Sequence, residues 1–144
     1  MKRFSALTVA FVLTFTMLIP MACAAPRASD FFAGTDAVAY AEEDGEILIE
    51  ADVLATGMMD EIGVKSIAIY EKQSDGYYDE VHTYTRYNTS GMISYDDYSH
   101  FKSLTYQGTV GKKYYARVAF YAKDETGSEI LYHKSNVVTA LANP

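Results

Sequence analysis

Apolar and polar residues alternate along most of the chain after residue 36, a pattern typical of β-strands that bury one face. The alternation is clearest in EILIEADVLATG, residues 46–57, whose apolar side consists of Ile47, Ile49, Ala51 and Val53. In GKKYYARVAFYAKDETGSE, residues 111–129, the predicted inward side consists of Tyr114, Ala116, Val118, Phe120 and Ala122. Further strands are predicted in DAVAYA (36–41), VKSIAIYEK (64–72), YYDEVHTYTRY (77–87), SHFKSLTYQG (99–108) and EILYHKSNVVTA (129–140), the last bent near Ser135.

Short turns that contain glycine separate these segments, at 43–45, 74–76, 89–91, 108–111 and 125–127. No window has the spacing of an amphipathic helix, although GMMDEIG, residues 57–63, is expected to form one short turn within a loop. The pattern therefore predicts an all-β protein, a single antiparallel two-sheet sandwich of about seven strands.

Residues 1–24 are predicted to be a signal peptide that is removed on export. Lys2 and Arg3 give a positive start, residues 6–19 form an apolar run, and Ala22-Cys23-Ala24 offers the small residues that precede a cleavage site. The predicted organisation is a signal peptide (1–24), an extended lead-in (25–36) and a β-sandwich domain (37–141).

Two other interpretations of this segment are open. A retained membrane anchor would need about 20 apolar residues to span a bilayer, and the run of residues 6–19 is shorter. A lipid anchor on Cys23 would need an aliphatic residue where Pro20 stands. We expect cleavage after Ala24, which gives a secreted, extracellular protein without a membrane attachment.

Charge narrows the range of partners. The chain has 12 Lys plus Arg and 19 Asp plus Glu, and loss of residues 1–24 removes two basic residues and no acidic ones, which leaves a net charge of −9. Nucleic acids and anionic membranes attract basic surfaces, so neither is an expected partner of this acidic protein. The single cysteine, Cys23, leaves with the signal peptide, so the mature chain has no disulfide, thiol nucleophile or cysteine-ligated metal.

The segment GTVGKKYYARVAFYAK (108–123), followed by SNVVTA (135–140), resembles the last two strands of fibronectin type III and related immunoglobulin-like domains. Gly111 matches the family's glycine, and Tyr114 matches the tyrosine three residues later. The resemblance implies that Tyr114 is a structural tyrosine corner, with a buried ring and a hydroxyl bonded to nearby backbone. The chain departs from the family because it has no tryptophan and no immunoglobulin-type cysteines.

A broader resemblance covers nearly the whole mature chain. It is carried by PRASDFF (26–32), ATGMMDEIGVKSIAIYEK (55–72), YQGTVGKKYYARVAFYAK (106–123) and NVVTA (136–140). These segments are similar to a family of small secreted proteins of Gram-positive, gut Firmicutes-type bacteria, known only as a domain of unknown function. The resemblance implies export and a single β domain, and it implies no activity.

Candidate catalytic and metal-binding residues are few. The three histidines, His82, His100 and His133, fall on three different predicted strands, and the chain has no HExxH, GxSxG or phosphate-binding motif. We therefore expect no enzymatic activity, no cofactor and no metal, and a metal-dependent enzyme built on converging histidines is the alternative. Five acidic residues in two predicted loops are interpreted as solubilising turns and not as a calcium site: Asp75, Asp79, Glu80, Asp96 and Asp97.

Tyrosine offers the best candidate for a binding surface, because all 13 tyrosines lie after residue 24. Tyr70, Tyr115 and Tyr121 fall on the outward side of strands that would be neighbours in a fibronectin-like sheet, with Arg117 among them. Such a face suits a protein contact or a sugar, although tyrosine is also favoured on half-exposed strands by cross-strand pairing. In the expected loop at 57–63, Met58 and Met59 would either form an adaptable contact surface or cap the core.

The sequence thus predicts an acidic, exported, monomeric β-sandwich without enzymatic activity. Its expected role is a binding or structural module for an unknown extracellular protein. A carbohydrate-binding accessory domain is the alternative, in which an extracellular glycan is the ligand.

Overall fold

The computed structural model describes residues 29–143, whose regular structure is strand apart from one short 3-10 turn at Glu43–Gly45. The strands are β1 (Phe32–Ala41), β2 (Glu46–Lys72), β3 (Tyr78–Thr85), β4 (Ile93–Gln107), β5 (Lys113–Asp124), β6 (Gly127–Lys134) and β7 (Val138–Thr139). All pairings are antiparallel, so the all-β prediction is confirmed. The predicted signal peptide, residues 1–24, lies outside the described residues. Strand β1 starts at Phe32, within the segment expected to be an extended lead-in.

Strand β2, 27 residues long, organises the whole sheet. Its first part, up to Leu54, pairs with β1 along one edge and with β4 along the other. Residues 59–63 still pair with β4. The last part of β2 pairs with β5 from Glu61 and with β3 from Ser66, and β5 pairs in turn with β6 and β7. The result is one seven-stranded antiparallel sheet that curls into a half-barrel.

The prediction of a loop with a helical turn at residues 57–63 is wrong, because β2 runs through this segment without a break. The register with β4 shifts from Leu54 opposite Ser99 to Met59 opposite Asp97, so β2 has several extra residues at this point. Extra residues of this kind bend a strand without ending it. Thr56 also keeps a backbone partner, since its N–H donates to the Phe31 carbonyl at 2.9 Å. Two predicted strands, 46–57 and 64–72, are therefore one bent strand.

The core forms where the inward residues of the two parts of β2 meet those of β5. The predicted inward series of 46–57 and of β5 are all buried, which confirms the alternation. Ile47 and Ile49 from the first part of β2 share one cluster with Ile67 from the last part and Phe120 from β5, each at most 1% exposed. Burial of such a side chain stabilises the fold by about 1.5–3 kcal/mol. The opposite residues of the same strands face outward, although Ala119 of β5 is covered and only 3% exposed.

Candidate binding surface

The outer side of β3, the last part of β2, β5 and β6 carries a surface that we call the tyrosine-cation face. Alternation along β5 directs Tyr115 and Arg117 outward, and the register sets Tyr70 of β2 opposite Tyr115 and Lys134 of β6 opposite Arg117. The centre of the face comprises Tyr70, Tyr78, Tyr115, Arg117, Tyr132 and Lys134. Four strands therefore contribute to one continuous surface.

Tyr115 occupies the middle of this surface. Its ring stacks on Tyr70 with 4.8 Å between centroids and 7° between planes, and the Tyr78 ring leans on it at 5.0 Å. The Lys134 Nζ lies 4.0 Å from the Tyr115 centroid. Tyr70 approaches from β2 and Lys134 from β6, the two strands that flank β5. The Tyr115 ring is therefore half-buried among these side chains, and burial raises its pKa, with a further contribution from Tyr70.

The two central cations are held by aromatic rings. The Arg117 Cζ lies 4.2 Å from the centroid of Tyr132, a side chain that is 58% exposed. Among residues 29–143 the ion pairs are Arg86–Glu61, Lys112–Glu71 and His133–Asp36. Neither Arg117 nor Lys134 belongs to these pairs, so their charges are not neutralised by a described carboxylate. Cation-π contacts orient both groups while leaving them able to bind an anion.

Of the four residues that the sequence assigned to this face, the structure brings three together and places the fourth, Tyr121, in a separate contact. Tyr70 and Tyr115 are stacked, and Arg117 lies beside them. Tyr121 points to the same side further along β5, where its ring lies 5.4 Å from the Arg86 Cζ. Arg86 itself is bound to Glu61 at 2.7 Å, so Tyr121 belongs to a separate contact.

Sequence reasoning missed Tyr78, Tyr132 and Lys134 as members of the face. The sequence did contain one signal, since alternation in 77–87 and 129–140 gives these segments an outward series. It gave no information on which strands are neighbours or on their register, and these two properties bring the side chains together.

Tyr114, on the inward side of β5, has a different role. Its ring is buried, and its hydroxyl accepts a hydrogen bond from the Thr109 backbone N–H at 2.8 Å and donates one to Glu71 at 2.6 Å. The bond to upstream backbone is the feature that the corner interpretation requires. The Tyr114 hydroxyl, with a smaller effect of Lys112, holds the pKa of Glu71 below its ordinary value, and burial raises the pKa of Tyr114. This network fixes the start of β5.

The two methionines of the predicted loop lie in strand β2 and differ in environment. Met59 is 4% exposed and belongs to the core cluster, whereas Met58 is 66% exposed. Only Met58 is open to an external contact. The core-capping interpretation describes the position of Met59.

The histidines lie on β3, β4 and β6, on three different strands as expected. His100 is 9% exposed, its Nδ1 lies 2.8 Å from the Ser94 hydroxyl, and burial lowers its pKa. Of the five acidic residues predicted in loops, Asp96 and Asp97 are in strand β4 instead. Asp79 and Glu80 are in β3, within the segment 77–87 that alternation predicted to be a strand. Within residues 29–143 no group of three or more His, Cys, Asp or Glu residues has the arrangement of a metal site. The same residues contain no helix with the length and apolarity to cross a membrane.

Comparison with known proteins gives no identity. No protein-family model matches the chain, and no curated protein matches it. A solved structure described as "X-ray structure of Northeast Structural Genomics Consortium target SoR45" matches 77% of this chain and 83% of that chain, with 14% identity and a TM-score of 0.37. A likeness at this score assigns neither a family nor a function. The resemblance to a secreted family of unknown function therefore stays a prediction.

Proposed function

We propose that this protein is an exported, non-enzymatic protein-interaction module whose binding surface is the tyrosine-cation face. The observation that carries the proposal is the charge of this face on an otherwise acidic protein. Apart from the Arg86–Glu61 ion pair, its outward residues at paired strand positions include one acidic side chain, Glu80, against five basic ones, namely Lys72, Lys113, Arg117, Lys123 and Lys134. Tyrosine and arginine are among the residues enriched in protein interfaces and in their energetic centres.

The arrangement of the rings favours a protein partner over a carbohydrate. A sugar stacks on an open ring face, whereas the Tyr115 ring is half-buried in contacts with Tyr70, Tyr78 and Lys134. The surface offers ring edges, hydroxyl groups and cations instead. These groups suit the mixed apolar and hydrogen-bonding contacts of a protein surface that carries carboxylates.

We also propose that the curled half-barrel is an immunoglobulin-like or fibronectin III-like two-sheet sandwich. The support is the pairing order, in which β1, the first part of β2 and β4 are neighbours, as are β3, the last part of β2, β5 and β6. In this assignment β2 supplies two consecutive strands of the sandwich, one to each sheet. An experimental structure in which the two halves do not pack face to face would contradict it.

A capture experiment tests the binding function. Immobilised purified protein should retain a specific partner from the extracellular proteins of its native culture, and the double variant Arg117→Ser/Tyr132→Ser should retain at least about tenfold less, since such residues dominate interface energies. Tyr98→Ser is the matched control, because Tyr98 is 57% exposed but lies on β4, outside the face.

Two results would contradict this assignment. Equal retention by the double variant and the wild type would show that another surface binds the partner. Binding on a glycan array that the double variant abolishes would establish the carbohydrate-binding alternative instead.

A further inference from the structure

A second outer surface of the molecule has the opposite charge. Alternation in β1, the first part of β2 and β4 directs one set of side chains away from the core on this side of the molecule. The charged members of this set are all acidic, namely Asp36, Glu46, Glu50 and Asp52. We call this surface the acidic face. It has a net charge of −4, whereas the outward residues of the tyrosine-cation face have a net charge of +4.

Two carboxylates of the acidic face are cross-strand neighbours. Asp36 of β1 is directly opposite Asp52 of β2, and like charges at such cross-strand positions destabilise a sheet. Among the ion-pair contacts of residues 29–143, one involves either aspartate, namely that of the His133 Nε2 with the Asp36 Oδ1 at 4.0 Å. The pair of aspartates therefore has no strong partner among residues 29–143, and a basic group from another molecule would relieve the repulsion.

The shape of the acidic face also suits a long side chain. A surface groove of about 280 Å³ is lined by Gly34, Thr35, Asp36, Asp52 and Leu54. Leu54 is 46% exposed, and Phe101, on the neighbouring strand β4, is 57% exposed. Carboxylates beside exposed apolar groups complement a surface of cations and tyrosine rings.

We propose that the tyrosine-cation face binds the acidic face of a second copy of this chain. This inference rests on the proposed function, because it names the protein that the tyrosine-cation face binds. Arg117 and Lys134 would pair with carboxylates of the acidic face such as Glu50 and Asp52, and Tyr132 would pack against its apolar residues. A second copy is the inferred partner because each chain carries both oppositely charged surfaces.

The contact joins two different patches, so it is heterologous. A pair of docked copies still has one free tyrosine-cation face and one free acidic face. Such contacts therefore extend into chains or close into rings. The monomer expected from the sequence would then be the form present in dilute solution or at high salt. At low salt and higher concentration the protein should assemble in an ordered, head-to-tail manner.

Two variants with one neutralised face each provide a sharp test. Arg117→Ser/Lys134→Ser keeps the acidic face, and Glu50→Gln/Asp52→Asn keeps the tyrosine-cation face. In sedimentation analysis at about 10 mM salt, where the Debye length is about 30 Å, the wild-type average mass should rise with concentration. Each variant alone should associate at least about tenfold more weakly. An equimolar mixture should form a complex of one copy of each, which cannot grow because neither partner retains both faces.

Salt and matched controls complete the design. In about 1 M salt, where the Debye length is about 3 Å, wild-type association should be lost. Glu125→Gln removes an exposed charge in the turn between β5 and β6, outside both faces, and should leave association unchanged. Should a double variant fail to fold, as judged by circular dichroism, the single changes Lys134→Gln and Glu50→Gln replace it and should each weaken association several-fold.

Three results would overturn the inference. These are a wild type that stays monomeric at low salt, a double variant that associates as the wild type does, and a mixture that forms no complex. The proposed function is judged separately, with Glu50→Gln/Asp52→Asn as bait, because that protein keeps the tyrosine-cation face. If this bait captures another protein while the mixture stays monomeric, only the self-docking fails.

Discussion

At the scale of single residues, adjacent tyrosines of β5 have opposite roles. Tyr114 points inward and is 1% exposed, while Tyr115 points outward and joins the tyrosine-cation face. The pleat of a strand alone makes this division, since successive side chains point to opposite sides. Stability should therefore depend on the first tyrosine and binding on the second.

Tyr114→Phe should lower the free energy of unfolding by roughly 1–3 kcal/mol, because it removes the buried hydroxyl that donates to the Glu71 carboxylate and accepts from the Thr109 N–H. Tyr121→Ser, which removes a more exposed ring, should cost about 1 kcal/mol or less. Denaturant unfolding monitored by circular dichroism measures both. Tyr132→Phe, which removes only an exposed hydroxyl, is the control for the loss of a tyrosine hydroxyl that is not buried. Equal losses for Tyr114→Phe and Tyr121→Ser would contradict the assignment of inner and outer faces.

At the scale of elements, the bend in β2 makes one strand part of both halves of the sheet. The strand passes close to β4 at Gly63, whose φ of 153° lies in a region that favours glycine. A Cβ at this position would collide with the Met92 carbonyl oxygen. The glycine therefore allows the close approach of two backbones, which a larger residue would force apart.

Gly63→Ala should destabilise the protein by about 2 kcal/mol or more, because it adds backbone strain to a collision with main-chain atoms that cannot move freely. Gly57→Ala is the matched control, since it lies in the same strand and a Cβ there meets nothing within 4 Å. Thermal unfolding of the two variants gives the comparison. A Gly63→Ala protein as stable as Gly57→Ala would mean that β2 and β4 are not this close.

At the scale of the whole molecule, charge is separated between two outer surfaces. The chain is acidic overall, yet the outward residues of the tyrosine-cation face have a net charge of +4. Net charge was the reason to exclude anionic partners. The charge of the tyrosine-cation face is opposite in sign to the net charge of the chain. Net charge therefore does not exclude an acidic protein surface as the partner of this face.

Export is also a property of the whole chain, and it remains a prediction from the sequence. If residues 1–24 are a signal peptide, protein recovered from the culture medium should begin at Ala25. Intact-mass spectrometry and N-terminal sequencing measure this directly. A retained N-terminus, or a mass increase that corresponds to a lipid on Cys23, would establish one of the two anchor alternatives.

The sequence alone determined the inner and outer residues of each strand, because the two-residue period depends only on the local pleat. Ile47, Ile49 and Phe120 could be assigned to the core for this reason, and Tyr115 and Arg117 to the outside. Only the tertiary structure decided that 46–57 and 64–72 are one strand and that Tyr132 and Lys134 lie beside β5. Strand neighbours and register depend on hydrogen bonds and packing between residues far apart in sequence, and local alternation carries no information about these contacts.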